Sequence, residues 1–168
     1  MKTLVLGACM LCSAGPLLAA DTGFHWLENG VPRHALIDPD TRANISSSTI
    51  TGLTLSKQEK GVRFYRTDTP RSRALAARQP ALLPVLREGG SGPWLLPVGG
   101  VVVRTENQAV LENWARQQGM SLQASPVKGY WLLVTAPGEA ALQATSQLLN
   151  LPGIQTAAPN WSGPRSKR

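Results

Sequence analysis

Residues 99–119 read GGVVVRTENQAVLENWARQQG, and the expected fold follows from this stretch. Val101, Val102 and Val103 are consecutive β-branched side chains, which favour an extended strand. Thr105-Glu106-Asn107-Gln108 has the spacing of a capping box, in which Thr105 and Gln108 each satisfy a free backbone N–H. Val110, Leu111, Trp114 and Ala115 then recur at helical spacing and form one apolar stripe. Gly119 suits the left-handed residue that ends a helix. Further along, Ser121 to Val127 and Tyr130 to Thr135 flank Lys128-Gly129 as the two strands of a hairpin. Pro137 fits a first helical turn, where its missing N–H costs nothing. Ala141, Thr145, Leu148 and Leu149 line one face of a second helix, which Pro152-Gly153 stops. Ile154 to Ala158 is the last strand.

The order strand, helix, strand, strand, helix, strand predicts a split βαβ sheet, a ferredoxin-like βαββαβ module in a chain of the α+β class. Right-handed crossovers put both helices on one face of its four strands. Along the hairpin, Tyr130, Leu132 and Val134 alternate with Trp131, Leu133 and Thr135. Both sets hold bulky apolar side chains, so both faces need burial. The face without helices is expected to be covered either by residues 21–98 or by a partner.

The preceding half reads as mostly β. Phe24 to Leu27 and Val31 to Ile37 flank Glu28-Asn29-Gly30, and Asn-Gly is the strongest short hairpin signal. Asp38-Pro39-Asp40 reads as a second turn. Thr51 to Leu55 and Gly61 to Arg66 alternate as half-buried strands do. Thr67 to Arg78, with Arg71, Arg73 and Arg78, reads as an exposed basic loop or short helix. Glu88 to Pro93 has the composition of a linker. The organisation is therefore a mostly β region over 21–92, the ferredoxin-like module over 93–161, and an extended basic tail over 162–168.

Residues 1–20 read as a secretory signal peptide: Lys2 near the start, an apolar run from Leu4 to Met10, and small residues before a cleavage near Ala20. Leu6-Gly7-Ala8-Cys9 offers a rival reading as a lipoprotein box, but its apolar run is shorter than the usual one of roughly 7–15 residues. Both cysteines lie in this leader, so the mature chain has no disulfide and needs a packed core or a partner. The rest of the chain has no apolar run of membrane length. A periplasmic or secreted protein, off the membrane and monomeric when free, is expected. The net charge of +7 raises nucleic acid as a partner. Export argues against it and favours an acidic protein surface.

Gly99 to Arg104, the Gly119 helix stop, Gly129-Tyr130-Trp131-Leu132-Leu133-Val134, and Leu151-Pro152-Gly153-Ile154 through Ala158-Pro159-Asn160 together resemble the propeptide of subtilisin-like serine proteases. No catalytic Asp, His and Ser motifs follow, so the chain looks like the free-standing version, the ASP external chaperone family. Residues 24–66 are more loosely similar to the extra N-terminal region of that family, at Trp26, Gly30, Leu36 and Asp38-Pro39. The resemblance implies a non-catalytic external chaperone and inhibitor of a secreted subtilisin/kexin-like serine protease, with no cofactor. It implies docking through the sheet, with Trp131 and Leu133 on the contact face, and a C-terminal strand that continues into the active-site cleft through Asn160 and Trp161. Arg165, Lys167 and Arg168 supply the basic end. A dibasic-specific cleft is acidic, so Arg168 would fill its primary pocket and Lys167 the next, with the guanidinium forked on carboxylates.

Two other functions are compatible with the residues. One is a pure periplasmic protease inhibitor, and the other a non-catalytic envelope interaction module. An enzyme is not expected. His25 and His34 are the two histidines, and without a firm third ligand they make a weak metal site. Ser46-Ser47-Ser48 has no nucleophile-elbow context. Neither catalytic nor metal residues are assigned.

Overall fold

The computed structural model describes residues 23–163. Nine strands and three short helices follow one another along it. They are β1 Gly23–Glu28, β2 Val31–Asn44, β3 Thr54–Glu59, β4 Val62–Arg66, α1 Pro70–Ala77, β5 Leu83–Glu88, β6 Trp94–Thr105, α2 Gln108–Gln117, β7 Ser121–Ala124, β8 Tyr130–Val134, α3 Glu139–Leu148 and β9 Ile154–Ser162. All pairings are antiparallel.

The expected ferredoxin-like module of an α+β protein is not the architecture. The protein is mostly β, about 20% helical, and built on a closed five-strand barrel with four further strands. The ring runs β1–β2–β5–β6–β9 and back to β1. The helices and hairpin of the C-terminal half were read in the right order along the chain. What overturns the expected fold is that β6 and β9 are not private to that half. Each extends beyond the predicted strand and becomes a barrel stave, so strands from both halves share one closed sheet. The seam between β1 and β9 is a single register pair, Leu27 with Ala157. The path through the other eight strands ends at β3 on one side and β7 on the other, while β5 lies off it and bridges β2 and β6.

Two local devices make closure possible. The first lies in β2, where the sequence suggests a turn at Asp38-Pro39-Asp40. The strand instead continues through it, with a register shift against β5 between Asp38 and Arg42. Pro39 has no N–H for a ladder, which suits an irregular position. The Asp38 carboxylate accepts from the Asp40 N–H at 3.1 Å, and Arg42 Nη1 donates to the Asp38 carbonyl at 3.2 Å. Beyond this bulge β2 pairs with β4 as well.

The second device lies in β6, at Gly99 and Gly100. Their φ values of 101° and 79° are open to glycine and strained for other residues. The β6–β9 register breaks here, between Pro97 and Val101. The first half of β6 can then serve the barrel, while the second pairs with β8 under the helices. A Cβ on Gly99 would lie 3.0 Å from the Thr135 carbonyl oxygen. Gly99→Val is therefore expected to lower stability by about 1–3 kcal/mol, the usual scale for one strained backbone position. A shifted urea midpoint at unchanged slope would show it, and an unchanged midpoint would mean that the bend does not depend on glycine.

Three larger apolar clusters, and a smaller one around Ile50, Tyr65, Ala76 and Leu82, fill the described part of the molecule. All five staves contribute to one, with Phe24, Trp26, Ala35, Leu86 and Ala158 at its centre and Leu95 and Trp161 against it; Leu142 of α3 also joins it. A second lies where β4 packs, around Ala43, Phe64, Val85, Trp94 and Leu96. The third lies between α2, α3 and the sheet: Val101, Val103, Leu111, Ala115, Leu133, Ala144, Leu148 and Ala157.

Helix starts differ from the expected ones. The side chain capping α2 is Asn107, which accepts from Val110 N–H. Thr105 instead accepts from Asn107 N–H and donates to the Gly153 carbonyl, tying the start of α2 to the start of β9. Pro137 lies just before the N-cap Gly138 of α3. The predicted linker, 88–93, is the tight turn joining β5 to β6, with Gly92 N–H donating to the Glu88 carbonyl at 2.8 Å.

Candidate binding surfaces

The β6–β8 register settles which side of the hairpin is buried. Val101 faces Leu133 and Val103 faces Trp131, all on the helix side. Leu133 is fully buried there and Trp131 packs against the same cluster. Both were expected on a contact face; Leu133 is instead a core side chain of the α2–α3 layer, and Trp131 is half-buried against that core. The other side carries Val102, Leu132 and Val134. Val102 is 36% exposed and Val134 39%, and Leu132 is half-buried. The β1–β2 turn reaches over one end of this face, where the Tyr130 hydroxyl donates to Asn29 Oδ1 at 3.2 Å and the Arg104 guanidinium lies 5.7 Å from the Tyr130 ring centre. The end at Val134 is uncovered.

The remaining candidates separate along the chain. Asn160 is exposed. Trp161 is half-buried and part of the barrel interior, 5.2 Å from the Trp26 ring and 5.9 Å from Phe24. The leader, Arg165, Lys167 and Arg168 lie outside the described residues.

A groove of about 500 Å³ adjoins the open face. Trp26, Leu95, Ala158 and Trp161 form its apolar part, and Val102 and Tyr130 connect it to the β6–β8 face. Glu28, Arg33 and Glu88 also line it. Arg33 bridges the two carboxylates, with Nε 3.2 Å from Glu28 and Nη1 3.0 Å from Glu88. Residue spacing alone does not point to this trio, because Glu88 meets Arg33 only through the β2–β5 pairing. The one available signal was the Asn29-Gly30 turn, which sets Glu28 close to Arg33 across the hairpin.

Trp94, outside this groove, shows how a satisfied indole looks in this fold. Its Nε1 donates to Glu59 at 3.3 Å. The Lys57 ammonium, 2.9 Å from that carboxylate, holds the Glu59 carboxyl below its ordinary range; partial burial opposes this, and the Trp94 bond assists it. His25 and His34 face each other across β1 and β2 with ring centres 4.8 Å apart. Among the described residues no group of three potential metal ligands gathers around them or elsewhere. No protein-family model, curated protein or solved structure matches the chain.

Proposed function

We propose that the chain is an exported, non-catalytic partner of a secreted subtilisin/kexin-like serine protease, acting as its external chaperone and inhibitor. The observation that carries this reading is the β6–β8 face, where Val102, Leu132 and Val134 lie together with neither helix over them. An apolar sheet face left open in an exported chain suits a protein surface. The docking residues are these three, in place of Trp131 and Leu133. Asn160 stays exposed on β9 as that strand runs toward the basic end of the chain. Arg165, Lys167 and Arg168 fit an acidic cleft by charge. The folding role follows from mass action: a partner that binds the native protease and not its unfolded chain lowers the free energy of the folded form.

The test is co-expression with a secreted subtilase that lacks its own propeptide, scoring active enzyme with and without this chain, and titration of the purified chain against mature enzyme. Higher yield of active protease together with stoichiometric inhibition is expected. Inhibition with unchanged yield would reduce the role to that of an inhibitor. Loss of both effects would remove the protease as the partner.

A further inference from the structure

Three buried side-chain polar atoms among the described residues lack a hydrogen-bond partner: Trp26 Nε1, Thr156 Oγ1 and Trp161 Nε1. They come from different positions in β1 and β9, yet all three residues line the same groove. Trp26 and Thr156 are each only 3% exposed. Buried donors of this kind are nearly always paired in folded proteins. An indole N–H can only donate, so what completes Trp26 and Trp161 must offer acceptor atoms.

The solvent side of the groove has the opposite demand. Glu28 and Glu88 share one guanidinium, and their side chains remain 44% and 36% exposed. Two carboxylates offer several lone-pair sites each, and Arg33 uses few of them. The trio is net negative, inside a chain whose net charge is +7. A ligand completing both sets therefore carries acceptors for the indoles and a cation for the carboxylates. An extended peptide with a lysine or arginine side chain does this, since its backbone carbonyls accept and its ammonium or guanidinium donates. A volume of about 500 Å³ lies within the range of small-ligand sites and is enough for a short peptide segment. A neutral sugar offers hydroxyls to the indoles but no charge to the carboxylates.

We propose that this groove is a second binding site, for a short basic peptide segment, with backbone carbonyl groups at the Trp26 and Trp161 indoles and a basic side chain between Glu28 and Glu88. The site stands whether or not the partner is a protease.

The test follows the indole N–H signals of the ¹⁵N-labelled chain, assigned with Trp26→Phe and Trp161→Phe. Titration with acetyl-Gly-Arg-amide is expected to move the Trp26 and Trp161 signals and leave that of Trp94 in place. Glu88→Gln leaves Arg33 its bond to Glu28, and is expected to weaken binding about tenfold by removing one charge-assisted partner. A second chain with Arg165, Lys167 and Arg168 replaced by Gln separates two sources. If its two signals already differ from those of the parent without added peptide, the segment is the chain's own end; if they move only on titration, it comes from another molecule. Either result supports the site. Signals that stay fixed in both chains at millimolar peptide overturn it. Signals that move with a neutral disaccharide and not with the peptide overturn the assigned ligand.

Discussion

Leu133→Ala is expected to lower unfolding stability by about 2–5 kcal/mol, the range for removing a large apolar side chain from a packed core. Leu133 is fully buried among Val101, Val103, Leu111 and Leu148, so nothing nearby can fill the space without moving a strand or helix. Urea denaturation followed by tryptophan fluorescence measures this directly. Were Leu133 the contact residue that the family resemblance implies, the same change would leave the urea midpoint alone and weaken partner binding. A variant of near-parental stability would thus contradict the α2–α3 core described above.

Val134→Asp is expected to do the reverse. Val134 is 39% exposed on the open side of β8, so a carboxylate there keeps its contact with water in the free protein, and losing a β-branched residue from a paired strand lowers stability by only about 1 kcal/mol. Within a docked interface the same carboxylate is stripped of water with no partner provided. Association with the proposed protease partner is then expected to fall by about 100-fold or more, corresponding to about 2.7 kcal/mol. Competition binding against mature protease, with the urea midpoint as the fold control, separates the two effects. Unchanged affinity would move the docking surface away from β6 and β8.

These two residues mark where the sequence was legible and where it was not. Signals confined to a few neighbours were readable. Asn29-Gly30 makes its two-residue turn, with φ of 53° and 77° and Glu28 opposite Val31. The stripe Val110, Leu111, Trp114, Ala115 lies in α2, with Leu111 and Ala115 buried. The alternation from Tyr130 to Val134 was visible too, but with apolar residues on both sides the period of two cannot say which side meets the helices. Only the pairing of Val101 with Leu133 decides it. Barrel closure was hidden for a related reason. It rests on pairs such as Ala35 with Glu88 and Leu27 with Ala157, far apart in the chain, and on bends at Asp38–Arg42 and Gly99-Gly100 that read locally as punctuation between elements. The groove was least legible, because its donors and carboxylates meet only after closure.

Closing the ring leaves few places where a second copy could add a strand. Among the described residues the strand path stops at β3 and β7. Lys57 and Glu59 stand on β3, and β7 is only four residues long, with mostly exposed side chains. Charged or very short borders of this sort do not template fibre growth. The molecule can therefore expose the apolar β6–β8 face at high concentration without its copies zipping together into aggregates.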